Sequence, residues 1–202
     1  MLTIALPKGR IADETLDRFE KAFGEKFVFE DRKLILEKSG FKFLNVRNQD
    51  LPTYVMHGAA DLGVVGLDVL EEKEYDLIKL LDLKLWRCKV AFGLRAGEKL
   101  NFDKNKISIA TKHEKIAKKY FEQKAMAVEI IKLYGSIELA PLVGLCDCIV
   151  DIVETGETMK QNGLEVGPTI METTAHLIAN KNSFYAKKDL IFDLKDKLEK
   201  FL

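Results

Sequence analysis

Between residues 151 and 164 the chain reads DIVETGETMKQNGL, and six residues there could do chemistry together: Asp151, Glu154, Thr155, Gly156, Glu157 and Thr158. An apolar run ends in a Thr-Gly pair, and Gly156 permits backbone angles that other residues avoid. Thr155 and Thr158 can cap a helix beginning near TMKQ. Unsatisfied N–H groups at that helix start, together with two hydroxyls, make a cradle for a phosphate. The glutamates would repel a phosphate on its own. They fit if a cation sits close by, or if the carboxylates accept hydrogen bonds from sugar hydroxyls next to the phosphate, a combination that describes a phosphorylated sugar. On this loop alone an ordinary capped turn is the commoner explanation.

Other stretches add to it. In PKGR (7–10), Lys8 and Arg10 follow the first strand, at the carboxyl end where open α/β sheets bind ligands, and can neutralise a polyphosphate; a solvated loop accounts for them equally well. GSIE (135–138) repeats the order strand, glycine, hydroxyl, acid, with Gly135, Ser136 and Glu138 either lining a site or capping a helix. Arg32 and Arg47 bracket a hairpin and taken singly are surface charges. Their joint placement at strand ends makes the case. His57, His113 and His176 carry no metal spacing and read as structural or surface residues.

These groups need a scaffold. The 202 residues are 47% hydrophobic and 32% charged, enough for one large domain or two small lobes, and 32 basic against 32 acidic residues leave no global pull toward nucleic acid or membrane. Any anion site must be built locally. No run approaches the roughly 20 apolar residues of a membrane span, and the start lacks an export signal. Cys88, Cys146 and Cys148 read as reduced structural residues of a cytoplasmic protein.

Strand and helix patterns alternate, an α/β arrangement. LTIALP (2–7) reads as a buried strand, followed by a helix with Leu16, Phe19, Ala22 and Phe23 on one stripe. Two strands around Ser39-Gly40, a short helix over 50–59, the strand DLGVVG (61–66) and further strands up to residue 96 complete a first lobe. The polar stretch GEKLNFDKNK (97–106) is taken as the lobe boundary. Beyond it come the strand ISIAT (107–111), a helix marked by Ile116, Ala117, Tyr120, Phe121 and Ala125, a helix-like SIELAPLVGL and the strand CDCIVDIV. TIMETTAHLIAN (169–180) reads as one long strand returning to the first lobe, and Leu190, Ile191, Leu194, Leu198 and Phe201 stripe a last helix. The expected organisation is 1–96 plus 171–202 as lobe I and 97–170 as lobe II, with a ligand cleft between.

ALPKGRI, DLPTYVMHGAADLGVVGLDVL, ISIAT before Lys112, and IKLYGSIELAPLVGLCDCIVDIVETGETMKQNGLE closely resemble the catalytic subunit of the ATP phosphoribosyltransferase family, in order from about residue 3 to residue 180. The departures are small: His113 stands where the family commonly has Tyr, Cys146 where Ala or Gly is usual, and Leu67 where a Lys is frequent. The resemblance implies the two-lobed type II periplasmic-binding-protein-like fold, with a phosphoribosyl pyrophosphate loop at Glu154 to Thr158. One helix follows the second crossing, leaving no room for the family's C-terminal regulatory domain. The short form is therefore expected, working with a separate regulatory subunit similar to histidyl-tRNA synthetase, as a homodimer within a hetero-oligomer.

The implied reaction joins adenine N1 of ATP to C1 of the phosphoribosyl group and expels pyrophosphate, the first step of histidine biosynthesis. Thr155, Gly156 and Thr158 are then expected to hold the 5-phosphate, with Asp151, Glu154 or Glu138 orienting ribose hydroxyls. Glu157, Gly135 and Ser136 complete the binding set. Lys8, Arg32 and Arg47 are the expected catalytic cations, with Arg10 beside them, and Mg2+ is expected to ride on substrate phosphates rather than on protein ligands. The competing class is a non-catalytic two-lobed binder of small ligands. It gives no reason for a phosphate loop with paired acids.

Overall fold

A computed structural model describes residues 1–101 and 106–202, so the polar boundary stretch falls partly on residues outside the described ones. The elements run β1 (Leu2–Pro7), α1 (Arg10–Phe23), β2 (Ile35–Lys38), β3 (Phe41–Val46), α2 (Leu51–Met56), β4 (Leu62–Gly66), α3 (Leu67–Lys73), β5 (Ile78–Asp82) and β6 (Cys88–Arg95). They continue with β7 (Ile107–Thr111), α4 (Glu114–Glu122), β8 (Val128–Lys132), α5 (Leu139–Leu142), β9 (Cys148–Val153), α6 (Glu157–Gln161), β10 (Leu164–Thr173), β11 (Ala175–Ala179), α7 (Lys181–Ala186) and α8 (Lys188–Glu199). Two compact units result, Met1–Trp86 with Thr174–Leu202, and Arg87–Thr173.

The first unit is a six-stranded sheet in the order β2-β3-β1-β4-β11-β5. Its middle is parallel, with β1 between β3 and β4, while β2 and β11 run antiparallel to their neighbours. One face is covered by α1 and α8. Ile11, Ala12, Thr15, Leu16 and Phe19 recur every three or four positions and are buried, and Gly24 ends α1 in a left-handed turn whose N–H donates to the Glu20 carbonyl. Phe19 is fully buried and meets Phe27, Phe41 and Phe43 edge-on, with centroids 5.1 to 6.0 Å apart. On the other face α2 and α3 bury Leu51, Val55, Val69 and Leu70. The approach of α2 to β4 is close enough that a Cβ on Gly63 would lie 2.7 Å from Leu51 Cδ2.

The second unit is a five-stranded sheet, β10-β6-β9-β7-β8, in which β8, β7 and β9 are mutually parallel. Phe92, Ile109, Phe121 and Val150 form its core under α4. Ala91, Ala110, Ile137, Ile149 and Met159 form the opposite layer under α5 and α6. Among the described residues no helix is long and apolar enough to cross a membrane.

Several expected boundaries change. Residues 87–96 belong to the second unit, because β6 pairs with β9 and β10. The long strand over 169–180 is two strands, broken at Thr174, because its halves pair in different sheets. The second crossing consequently falls at 173/174 instead of 170/171. SIELAPLVGL keeps one helical turn, ended by Gly144 at φ 75°, and Ala125 lies past α4 at φ 54°. Of the last stripe, Ile191, Leu194 and Leu198 are buried, while Leu190 and Phe201 are exposed. The sequence reading did not single out α3 or α7.

The break at Thr174 is fixed within the first unit. Thr174 Oγ1 donates to Asp82 Oδ1 at 2.7 Å, the Lys84 N–H donates to the same oxygen at 2.9 Å, and the Thr174 carbonyl accepts from the Leu67 N–H at 3.0 Å. Burial alone would raise the Asp82 pKa, but the donors from Lys84 and Thr174 outweigh it and hold the carboxyl at about 2, against an ordinary 3.8. A depressed folded-state pKa contributes stability that is complete above the unfolded value and is lost as pH falls toward the folded one. In urea denaturation, wild type is therefore expected to exceed Asp82→Asn by a constant margin above about pH 5 and by a shrinking one down to about pH 2. A margin independent of pH over that range would show that the ionised carboxylate is not what holds the break.

Candidate active site

In the second unit the parallel register delivers three loops to one edge. Strand β7 pairs with β8 through Thr111 and Lys132, and with β9 through Thr111 and Val150, so all three run to one edge, where β9 continues to Val153. Past those ends come Lys112 and His113, then Gly135 to Glu138, then Glu154 to Thr158. This is the carboxyl edge at which open α/β sheets bind ligands.

The Glu154–Thr158 loop turns on Gly156, at φ 83° and ψ 0°, from which α6 starts. The expected side-chain cap does not form, because Gly156 itself occupies the cap position. Thr155 Oγ1 accepts from the Glu157 N–H at 3.3 Å, whereas Thr158 lies inside the helix. Glu154, Thr155, Glu157 and Thr158 are exposed, and the loop is pinned from beneath by buried Met159. Glu157 also accepts from Gln161 Nε2 at 3.1 Å. The GSIE loop does not form the expected cap: Ser136 is itself left-handed at φ 49°, α5 has no side-chain cap, and Glu138 occupies the cap position. Gly135 and Ser136 are exposed and Glu138 is half-buried.

Asp151 lies inside β9, largely buried. Its Oδ1 accepts from Lys112 Nζ at 2.9 Å and from the Ile152 N–H at 2.8 Å. The ring of His113 lies alongside, 1% exposed, with Nε2 3.8 Å from that same oxygen. Burial, helped by Lys112 and opposed by Asp151, pushes the imidazole down to about 4. His113 is thus neutral at neutral pH. Sequence reasoning named Asp151 but not Lys112 as a site residue, and set His113 aside; their position directly after a parallel strand was the available signal.

In the first unit the register gathers the predicted cations. Pro7 pairs with Val46 in the parallel β1/β3 ladder, and the Lys8 N–H donates to the Val46 carbonyl at 3.0 Å, so Lys8 and Arg47 leave their strands at the same end. The antiparallel β2/β3 hairpin turns tightly at Ser39-Gly40, and the Asn45 N–H meets the Leu34 carbonyl at 2.8 Å. That brings Arg32, two residues before Leu34, to the same edge. All three side chains are exposed, and among the described residues none is ion-paired. Arg10, at the start of α1, differs: its guanidinium pairs with Glu14, whose other oxygen accepts from the Trp86 N–H at 3.0 Å. Asn45 and Asn48, which flank Arg47, each hold a buried Oδ1 with no hydrogen-bond partner, and the sequence gives no hint of this.

A six-stranded and a five-stranded α/β unit joined by two crossings, with ligand-type loops at parallel carboxyl ends, define a protein of the type II periplasmic-binding-protein-like fold. Solved structures share it. A substrate-binding protein of an amino acid ABC transporter superposes with a TM-score of 0.62 at 12% identity, covering 98% of this chain and 91% of that one. The arginine-bound ArgBP of Thermotoga maritima does so with a TM-score of 0.61 at 10% identity, covering 100% and 95%. Those two likenesses concern the fold alone.

A family model described as HisG: ATP phosphoribosyltransferase matches residues 47–200. An ATP phosphoribosyltransferase of Wolinella succinogenes is 66% identical over 200 residues, 99% of this chain and 97% of that protein. One of Helicobacter hepaticus is 58% identical over 202 residues, covering 100% and 98%. The ATP phosphoribosyl transferase (HisG:HisZ) complex from Thermotoga maritima contains a chain 36% identical, with a TM-score of 0.84 and coverage of 99% and 98%. The chain belongs to the ATP phosphoribosyltransferase family. Its activity is the family's glycosyl transfer, the first step of histidine biosynthesis, which replaces the non-catalytic binder as the reading of the fold.

An alanine at 156 would have to hold a left-handed backbone, costing about 1–2 kcal/mol, with its methyl carbon 2.9 Å from Val166 Cγ2. Gly156→Ala is therefore expected to displace Thr155 and the start of α6, raising KM for phosphoribosyl pyrophosphate at least about tenfold while the circular dichroism spectrum keeps its native shape. An unchanged KM would remove this turn from the site.

Proposed function

We propose that the Glu154–Thr158 loop holds the phosphoribosyl group and that Lys8, Arg32 and Arg47 hold phosphates of the transferred and accepting substrates. One observation carries the reading: a glycine-hinged loop of two hydroxyls and two acids stands at the common end of three parallel strands. Thr155, Gly156 and Thr158 take the 5-phosphate, through hydroxyls and backbone N–H groups. Glu154 and Glu138 accept from ribose hydroxyls, and so does the second oxygen of Asp151, whose first is held by Lys112 and the Ile152 N–H. Gly135 and Ser136 provide backbone and hydroxyl beside them, and Glu157 braces the helix start.

Adenine N1 already carries a lone pair, so no general base is needed to make it a nucleophile. It attacks C1, the bond from C1 to the pyrophosphate oxygen breaks, and pyrophosphate departs with the electron pair. The work left to the protein is alignment of two anions and stabilisation of the leaving charge. Lys8, Arg32 and Arg47 suit that task, since among the described residues no carboxylate is paired with them. Arg10 must exchange its contact with Glu14 before it can join.

Magnesium belongs with the substrate in this reading. Mg2+ commonly binds through substrate phosphates with few protein ligands, and Asp151 is engaged by Lys112. The ion then enters on the pyrophosphate, through phosphate oxygens.

We further propose that the chain is a short-form catalytic subunit acting in the cytoplasm as a homodimer with a HisZ-like regulatory partner similar to histidyl-tRNA synthetase. The 36% identical Thermotoga maritima chain, which is part of a HisG:HisZ complex, supports the partner.

Each charged hydrogen bond to a phosphate is worth about 1.5–3 kcal/mol, so Arg32→Ala and Arg47→Ala are each expected to lower kcat/KM about 10- to 100-fold. The assay follows the ultraviolet absorbance of N1-substituted adenine with pyrophosphatase present, with and without a HisZ-like subunit. Both side chains are exposed, so melting temperatures should stay near wild type. Unaltered kinetics in both variants would take these arginines out of the site.

A further inference from the structure

His113 is the one histidine whose side chain is both buried and left with an unused ring nitrogen among the described residues. Its backbone is fixed on both sides. The N–H donates to Thr111 Oγ1 at 2.8 Å, Thr111 Oγ1 in turn donates to the Val150 carbonyl at 2.6 Å, and the His113 carbonyl accepts from the Ala117 N–H at 3.0 Å at the start of α4. The ring has little freedom to choose where it points. At 1% exposure Nε2 has no hydrogen-bond partner, and it stands 3.8 Å from Asp151 Oδ1.

An unsatisfied buried donor costs about 1–3 kcal/mol, so a fold that keeps one needs a reason. Facing a carboxylate, the favoured neutral tautomer carries its proton on Nε2, and Lys112 and Asp151 are the charged groups that act on this ring. Asp151 therefore has two candidate side-chain donors for one oxygen. Lys112 holds it now, from a side chain 35% exposed at the strand end, while His113 waits a little beyond hydrogen-bond distance. A lysine at that edge is attracted to incoming phosphate, whereas a neutral imidazole is not.

We propose that His113 is a positioning residue: its Nε2–H donates to Asp151 Oδ1 when Lys112 turns to the substrate's phosphates, so that Asp151 stays aimed at the ribose hydroxyls. The proposal rests on the ribose role assigned to Asp151. The carboxylate is held by a cation before substrate binds and by a neutral donor afterwards. No charge is added beside C1 as the exchange takes place.

The experiment compares His113→Phe, which removes the donor at similar volume, with His113→Gln, whose amide places an N–H at a comparable reach. His113→Leu serves if the Phe variant does not fold. The Phe variant should raise KM for phosphoribosyl pyrophosphate about tenfold with KM for ATP unchanged, and the Gln variant should stay within about twofold of wild type. In an Asp151→Asn background, His113→Phe should add no further loss. Equal impairment in the Phe and Gln variants, or an unaltered KM in the Phe variant, overturns the proposal. If Asp151→Asn alone leaves that KM unchanged, the ribose role of Asp151 fails instead, whatever His113 does.

Discussion

Parallel pairing of neighbouring strands is the constraint on which the site depends. Strands that run parallel must be joined by crossovers, and they release their chain ends at one edge of the sheet. In the first unit this edge receives Lys8 and Arg47 from β1 and β3, and the antiparallel β2 brings Arg32 back to it. In the second unit it receives Lys112, the Gly135–Glu138 loop and the Glu154–Thr158 loop from β7, β8 and β9. Residues more than 40 positions apart in sequence become neighbours in function through backbone hydrogen bonds alone, with a packed layer on each face holding the sheets in place.

The groups proposed to bind substrate differ in charge from one unit to the other. The first unit presents cations, of which Lys8, Arg32 and Arg47 are unpaired among the described residues, whereas Arg10 is held by Glu14. The second presents hydroxyls, backbone N–H groups and acids. With a formal net charge of zero, the protein has no general attraction for polyanions, so recognition has to come from such local separation. An acid-rich loop beside a phosphate is consistent with this physics when the acids face sugar hydroxyls and the phosphate faces N–H groups.

Much of this was legible from residue pattern. The periodicities of 2–7, 61–66, 107–111 and 146–153 marked buried strands, Ser39-Gly40 marked the hairpin turn, and Gly156 marked the left-handed turn of the loop. What escaped had physical causes. Strand β6 is as apolar as its predecessors, so nothing in its composition says which sheet it joins; only pairing with β9 and β10 does. The run 169–180 holds no glycine or proline to mark a break, and the switch at Thr174 is set by its contacts with Asp82 and Leu67, which are distant in sequence. Ala125 and Phe201 fit helical stripes but lie past the ends of α4 and α8, and Leu190 lies inside α8 on an exposed face. The resemblance supplied roles for site residues, but the burial of His113 and the grip of Lys112 on Asp151 arise from three-dimensional proximity, of which their place just after a strand was the one sequence signal.

Asp151 shows why a carboxylate in such a site needs management. Largely buried and near a phosphate, an unrestrained aspartate would meet repulsion from the substrate and a desolvation penalty of its own. Here one oxygen is committed to Lys112 and a backbone N–H, which compensates its charge and leaves the other oxygen to act as acceptor. In the proposed exchange a cation alone would not suffice, because Lys112 would be shared between Asp151 and the substrate's phosphate. A neutral donor on a fixed backbone, 3.8 Å from the same oxygen, would remove that conflict under the proposal. The backbone contacts of His113 with Thr111 and Ala117 hold it at the strand end, and under the proposed roles that makes a buried histidine a support for Asp151.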